Sequence, residues 1–203
     1  MKIKISEIFS SLQGEGKYAG YPMLFIRLSG CTRACWFCDT KYHTQGVEMK
    51  IGELVKKIKE SKLTYVCWTG GEPLLQRKAI REVITKTRGY YHHLESNGDL
   101  LEESDFYLFD YLAISPKVKK VAEKVAKICL EFNSDIWDIK VVTDLGKEGV
   151  DMLKFATMLM PLSLYESKKD LEIQRKVWNY CVQKNLKFTP RYQFWVWGKK
   201  RGI

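Results

Sequence analysis

Short apolar runs alternate with stretches of helical periodicity along most of this 203-residue chain. Runs of strand length occur at "YPMLFIRLS" (21–29), "TYVCWT" (64–69), "YYHHLES" (90–96), "YLFDYLAIS" (107–115), "IWDIKVVT" (136–143) and "TMLMPLS" (157–163). Between most of them apolar residues recur at spacings of three, four and seven. Ile51, Leu54, Val55 and Ile58 share one helix face, and Val118, Val121, Val125 and Ile128 share another. A helix is predicted over about 168–184, followed by a last extended run, "LKFTPRYQFWVW".

Repeated strand-then-helix units call for a parallel sheet with right-handed crossovers. Six strands are too few for a closed eight-stranded barrel, and the link from Asn97 to Phe106 is too short for a crossover helix. The expectation is one α/β domain over 1–203, an open, partial parallel β/α barrel of about six strands with reduced helices. In such folds chemistry gathers at the C-terminal ends of the strands. Four motifs fall there: the stretch "LSGCTRACWFCDT" (28–40) after the first strand, "TGGEP" (69–73) after the second, "ESNG" (95–98) after the third and "SPK" (115–117) after the fourth.

Composition narrows the class. Hydrophobic residues make up 45% and charged residues 29%, a globular rather than a disordered balance. No apolar run reaches membrane-spanning length and "MKIKISEIFSSLQGEG" lacks a signal-peptide core, so the expected location is cytoplasmic with no membrane partner. The net charge of +10 raises the question of nucleic acid. The lysines, however, lie in helical stretches such as "PKVKKVAEKVAKICLEF", interleaved with glutamates, which reads as solvated helix faces, and no direct nucleic-acid binding is expected. Six cysteines without an export signal argue against a disulfide framework. Cys67, Cys129 and Cys181 sit in apolar patterns as small buried hydrophobes.

Cys31, Cys35 and Cys38 need another explanation. A structural zinc site takes four protein ligands, so with His43 nearby a Cys3His site is one alternative. An electron-transfer 4Fe-4S cluster also takes four thiolates, and Cys67, inside a strand, is awkwardly placed to be the fourth. The C-x3-C-x2-C spacing, with aromatic Trp36 after the second cysteine, resembles the signature of the radical S-adenosylmethionine (SAM) superfamily. That resemblance implies a 4Fe-4S cluster on Cys31, Cys35 and Cys38 with one iron open to SAM, and a partial barrel of the radical SAM type. It also implies SAM contacts from Phe37, Cys38 and Asp39, from Gly71 and Glu72, from Ser96, and from Ser115, Pro116 and Lys117.

From "EIFSSLQGEG" (7–16) through "FIRLSGC" (25–31) and "SPK" to the terminal "WVWGKKRGI", the chain resembles the 7-carboxy-7-deazaguanine synthase family of that superfamily. The resemblance implies a carbon–nitrogen lyase of 7-deazapurine biosynthesis, contracting the ring of 6-carboxy-5,6,7,8-tetrahydropterin with loss of ammonia. In the implied mechanism a 5′-deoxyadenosyl radical takes hydrogen from C6 and SAM is regenerated. Substrate contacts are implied for Leu12, Gln13, Gly14, Glu15, Arg27, Thr69 and Ile203, and Mg²⁺ ligation for Thr40. An external electron donor of flavodoxin or ferredoxin type and a homodimer are implied as well. The alternative is a radical SAM activase that makes a glycyl radical on a partner protein.

Overall fold

A computed structural model describes residues 1–202. Its strands are β1 (Lys2–Leu12), β2 (Pro22–Leu28), β3 (Val47–Lys50), β4 (Tyr65–Gly70), β5 (Tyr91–Ser96), β6 (Tyr111–Ile114), β7 (Trp137–Thr143), β8 (Met158–Pro161) and β9 (Lys187–Phe188). Its helices are α1 (Ile51–Glu60), α2 (Arg77–Lys86), α3 (Lys119–Cys129), α4 (Ser167–Lys184) and α5 (Tyr192–Trp197). All strands join one sheet in the order β3-β1-β2-β4-β5-β6-β7-β8-β9. From β2 to β9 every pairing is parallel, whereas β1 pairs antiparallel with both β2 and β3. The sheet runs from β3 to β9 without closing, which is an open partial barrel.

The six predicted strands are β2, β4, β5, β6, β7 and β8, and β9 adds a two-residue seventh parallel strand. The expected shortage of helices holds as well: a single 3-10 turn, Glu103–Asp105, links β5 to β6. Two local readings are corrected. The run at 107–115 is a strand only from Tyr111, because residues before it form a turn. The terminal run is extended only over Lys187–Phe188, after which Tyr192–Trp197 is helical. The predicted α3 stripe holds for Val125, which is buried, and for Val121 and Ile128, which pack against the core; Ala122 and Cys129 join them, while Val118 precedes the helix and is exposed. The small Ala122 and Cys129 side chains let the helix lie close to the sheet.

Helix α1 buries the four residues its periodicity marks, Ile51, Leu54, Val55 and Ile58. They join Ile26, Val66, Trp68, Leu94 and Leu112 in the main core between the helices and the outer face of the sheet. Each fully buried aliphatic side chain there contributes about 1.5–3 kcal/mol. Alternate residues of the same strands, such as Phe25, Cys67 and His93, sit at one level of the sheet. These point to the inner face, which carries the polar groups.

Candidate active site at the strand ends

The cysteine loop leaves β2 at Leu28 and is held in a shallow arc whose side chains alternate. Thr32, Ala34 and Trp36 face solvent, whereas Cys31, Cys35 and Cys38 are half-buried and line one cavity. Asp99 pins the arc from outside, accepting from Thr32 Oγ1 at 2.6 Å and from Arg33 Nε at 2.9 Å. Asn97 Nδ2 donates to Thr32 Oγ1 at 2.9 Å. Burial raises the thiol pKa of both Cys35 and Cys38, so taking up a metal must displace protons. Among the described residues, no three His, Cys, Asp or Glu side chains converge tightly enough for a single metal ion. Three thiols spread along one cavity wall, with no fourth cysteine beside them, suit a larger iron–sulfur cluster with one iron left free.

The glycines of "TGGEP" serve a close crossing. Gly70 has φ +133°, and a Cβ there would lie 2.2 Å from the Leu28 carbonyl oxygen. A Cβ on Gly71 would lie 1.9 Å from the carbonyl oxygen of Gly30. Only glycine lets the end of β4 pass this tightly against the start of the cysteine loop. Glu72 is fully buried and does not line the cavity. Its carboxylate accepts from Ser96 Oγ at 2.9 and 3.0 Å, from Asn97 N at 2.7 Å and from Leu74 N at 3.0 Å. Burial nevertheless raises its pKa. In this arrangement Glu72 shapes the "ESNG" turn.

Ser96 does line the cavity, as do Ser115 and Lys117, whereas Pro116 is buried and does not line it. Lys117 Nζ donates to Ser115 Oγ at 2.7 Å and lies 5.9 Å from the Phe37 ring centre. Burial, helped by Lys140, lowers the Lys117 pKa.

The opposite wall comes from β1, β2 and their connection. "SLQGEG" forms a hairpin loop closed by Gln13 N donating to Tyr21 O at 2.8 Å and Gly20 N to Gln13 O at 2.7 Å. Leu12, Gln13, Gly14 and Glu15 all reach the cavity from it, joined by Arg27, Asp39, Thr40 and Thr69. Arg27 Nε donates to Glu7 Oε2 at 2.9 Å, and its guanidinium lies over Phe9 and Tyr42. Its NH1 also reaches Thr40 Oγ1 at 3.4 Å, while the Thr40 hydroxyl donates to Asp39 Oδ1 at 2.8 Å. Arg191 NH1 donates to Asp39 Oδ2 at 3.3 Å. The Arg27 and Arg191 guanidiniums thus converge on the oxygens of Thr40 and Asp39. Ile203 lies outside the described residues.

Sequence reasoning passed over Lys140, Arg191, Gln193 and Arg201, all of which line the same cavity, whose volume is about 690 Å³. A signal for the first lay in "IWDIKVVT", where a lysine interrupts an apolar strand. Arg191 and Gln193 belong to the run read as extended, and Arg201 to the terminal "WVWGKKRGI".

Comparison with known proteins agrees with this arrangement. Residues 25–162 match the family model of the radical SAM superfamily, which implies a 4Fe-4S cluster and SAM. A 7-carboxy-7-deazaguanine synthase of Pyrobaculum aerophilum is 31% identical over 99% of this chain and 97% of its own. One of Thermoplasma acidophilum is 42% identical over 61% of this chain and 59% of its own. The crystal structure of QueE from Escherichia coli superposes with a TM-score of 0.59 over 94% of each chain at 18% identity, a likeness of fold. The chain belongs to the 7-carboxy-7-deazaguanine synthase family of the radical SAM superfamily.

Proposed function

We propose that the chain converts 6-carboxy-5,6,7,8-tetrahydropterin to 7-carboxy-7-deazaguanine and ammonia. One observation carries this reading: three thiols and a polar set of Gln13, Glu15 and Arg27 line a single cavity of about 690 Å³, a size suited to small molecules. In this reading Cys31, Cys35 and Cys38 hold the 4Fe-4S cluster. Phe37, Cys38, Asp39, Gly71, Ser96, Ser115 and Lys117 surround SAM, with Glu72 and Pro116 supporting from behind. When bound, these two groups supply hydrogen-atom abstraction, driven by an external one-electron donor.

The remaining work belongs to side chains and backbone. Arg27 takes the pterin carboxylate with its planar donor fork, a role that its partner Glu7 orients. Gln13 and Glu15 take the N–H groups of the pyrimidine edge, with Leu12, Gly14 and Thr69 completing that wall. Once the substrate carboxylate neutralises Arg27, Thr40 can offer its hydroxyl to Mg²⁺, which completes its shell with substrate and water oxygens. Phe25, Val142 and Met160 form an apolar part of the wall that limits water. Among the described residues no helix is long and apolar enough to cross a membrane. A cytoplasmic location and a homodimer are part of the proposal.

The test is anaerobic reconstitution with SAM, reductant, Mg²⁺ and 6-carboxytetrahydropterin, with products read by mass spectrometry. Formation of 7-carboxy-7-deazaguanine without proportional consumption of SAM is the expected result. SAM cleavage without that product contradicts the substrate assignment, and Cys35→Ala should abolish both reactions.

A further inference from the structure

Lys140 enters the cavity from the middle of β7 with only 3% of its surface exposed. Its ammonium donates to two carboxylates from separate parts of the chain, Glu15 Oε2 at 2.7 Å and Glu95 Oε2 at 2.9 Å. Glu15 comes from the hairpin loop and Glu95 from the end of β5. The second oxygen of each is held by an amide: Gln193 Nε2 donates to Glu15 Oε1 at 2.8 Å, and Gln13 Nε2 to Glu95 Oε1 at 3.2 Å. Beneath them His93 Nε2 lies 3.2 Å from Glu95 Oε1.

Two carboxylates share one ammonium, so the triad of Glu15, Glu95 and Lys140 carries one formal net negative charge. Burial alone would raise the Glu95 pKa, but Lys140 and His93 offset it and hold the group well below its ordinary value. Burial would likewise lower Lys140, and the two carboxylates hold it above its ordinary value instead. A buried ion triad is a poor way to stabilise a fold, since apolar side chains of similar volume often do as well or better. Its position in a cavity wall, with Arg27 on the β2 strand of the same cavity, gives the space an acceptor-rich region and a cationic one.

We propose that Lys140 is a positioning residue that sets substrate specificity, fixing Glu15 and Glu95 side by side as a receptor for adjacent N–H donors on a 2-amino-4-oxopyrimidine ring. The inference rests on the pterin reading above and adds which part of the pterin is discriminated and by what. A ligand with a 2-oxo group in place of the 2-amino group turns an acceptor toward these carboxylates. A site built around such a hydrogen bond rejects that exchange strongly.

The experiment compares equilibrium binding of 6-carboxypterin and 6-carboxylumazine to reconstituted protein with SAM, by ligand fluorescence. The wild-type protein should prefer the pterin by at least about tenfold. Lys140→Met should reduce that preference to within about threefold, with iron content and SAM affinity retained, and Lys140→Arg should keep it. If Lys140→Met does not fold, Lys140→Gln, which removes the charge but keeps a polar side chain in the gap, replaces it, and the same collapse is expected. A full preference in the methionine variant overturns the inference and leaves the pterin reading standing. Wild-type protein that binds neither compound overturns the pterin reading, and the inference with it.

Discussion

The buried carboxylate of Glu72 grips the hydroxyl of Ser96 with both oxygens, at 2.9 and 3.0 Å, and so ties the end of β4 to the end of β5. Glu72 faces donors on every side, since Asn97 N and Leu74 N also point at it. Glu72→Gln turns an amide NH2 toward them and leaves at least one donor without an acceptor. A loss of about 1–3 kcal/mol in stability is expected from that mismatch, with weaker SAM binding because Ser96 shifts. Denaturant unfolding and a SAM titration check both, and unchanged values in the two would remove Glu72 from this role.

Asp99 should matter to the cluster although it touches no cysteine. It holds Thr32 and Arg33, so Asp99→Ala frees the loop between Cys31 and Cys35. Iron per protein after reconstitution should fall by half or more, with the fold unchanged by circular dichroism. Full iron content in a folded variant would show that the loop holds its shape unaided.

Arg27 and Thr40 should separate by what they bind. Arg27→Met is expected to weaken substrate binding by at least about tenfold, in keeping with the loss of a charged hydrogen bond, while SAM affinity changes little. Thr40→Val should keep the cluster and substrate binding but flatten the response of turnover to Mg²⁺. A magnesium response equal to that of the wild type would take the ion away from Thr40.

A pH effect is expected from His92, which lies on the outer side of β5. Burial lowers its pKa; its Nδ1 accepts from Trp68 Nε1 at 3.1 Å, and its Nε2 lies 3.2 Å from Thr87 Oγ1. The folded chain therefore holds this imidazole neutral, while the unfolded chain protonates it near pH 6.5. Below that value the unfolded state binds more protons, so stability falls as pH falls. Relative to His92→Gln, the wild-type protein should lose stability between about pH 7.5 and 5.5 in denaturant melts. A constant difference across that range would contradict the assignment.

The parallel strands and the motifs at their ends were legible because both faces of β4 to β8 are buried and the runs are strongly apolar. β1 was not, since its alternate exposure and polar residues describe a strand near the edge of the sheet. The segment "YQFWVW" has strand-like composition yet forms α5, because strand preference depends on the neighbours a segment packs against. Here Tyr192 N donates instead to Gly14 O at 3.0 Å, fastening the segment over the hairpin loop. Lys140 was legible only as a lysine interrupting the apolar run of β7. A lysine on an alternating strand reads as surface, and only the barrel's polar interior makes it a buried one.

The sheet and the cavity are finished at different times. Every strand is complete by Phe188, whereas Arg191, Gln193 and Arg201, which close one side of the cavity, come afterwards. A chain emerging from the ribosome thus acquires its scaffold before its last wall. A stop introduced after Pro190 should yield a folded sheet whose cavity lacks the side formed by Arg191, Gln193 and Arg201.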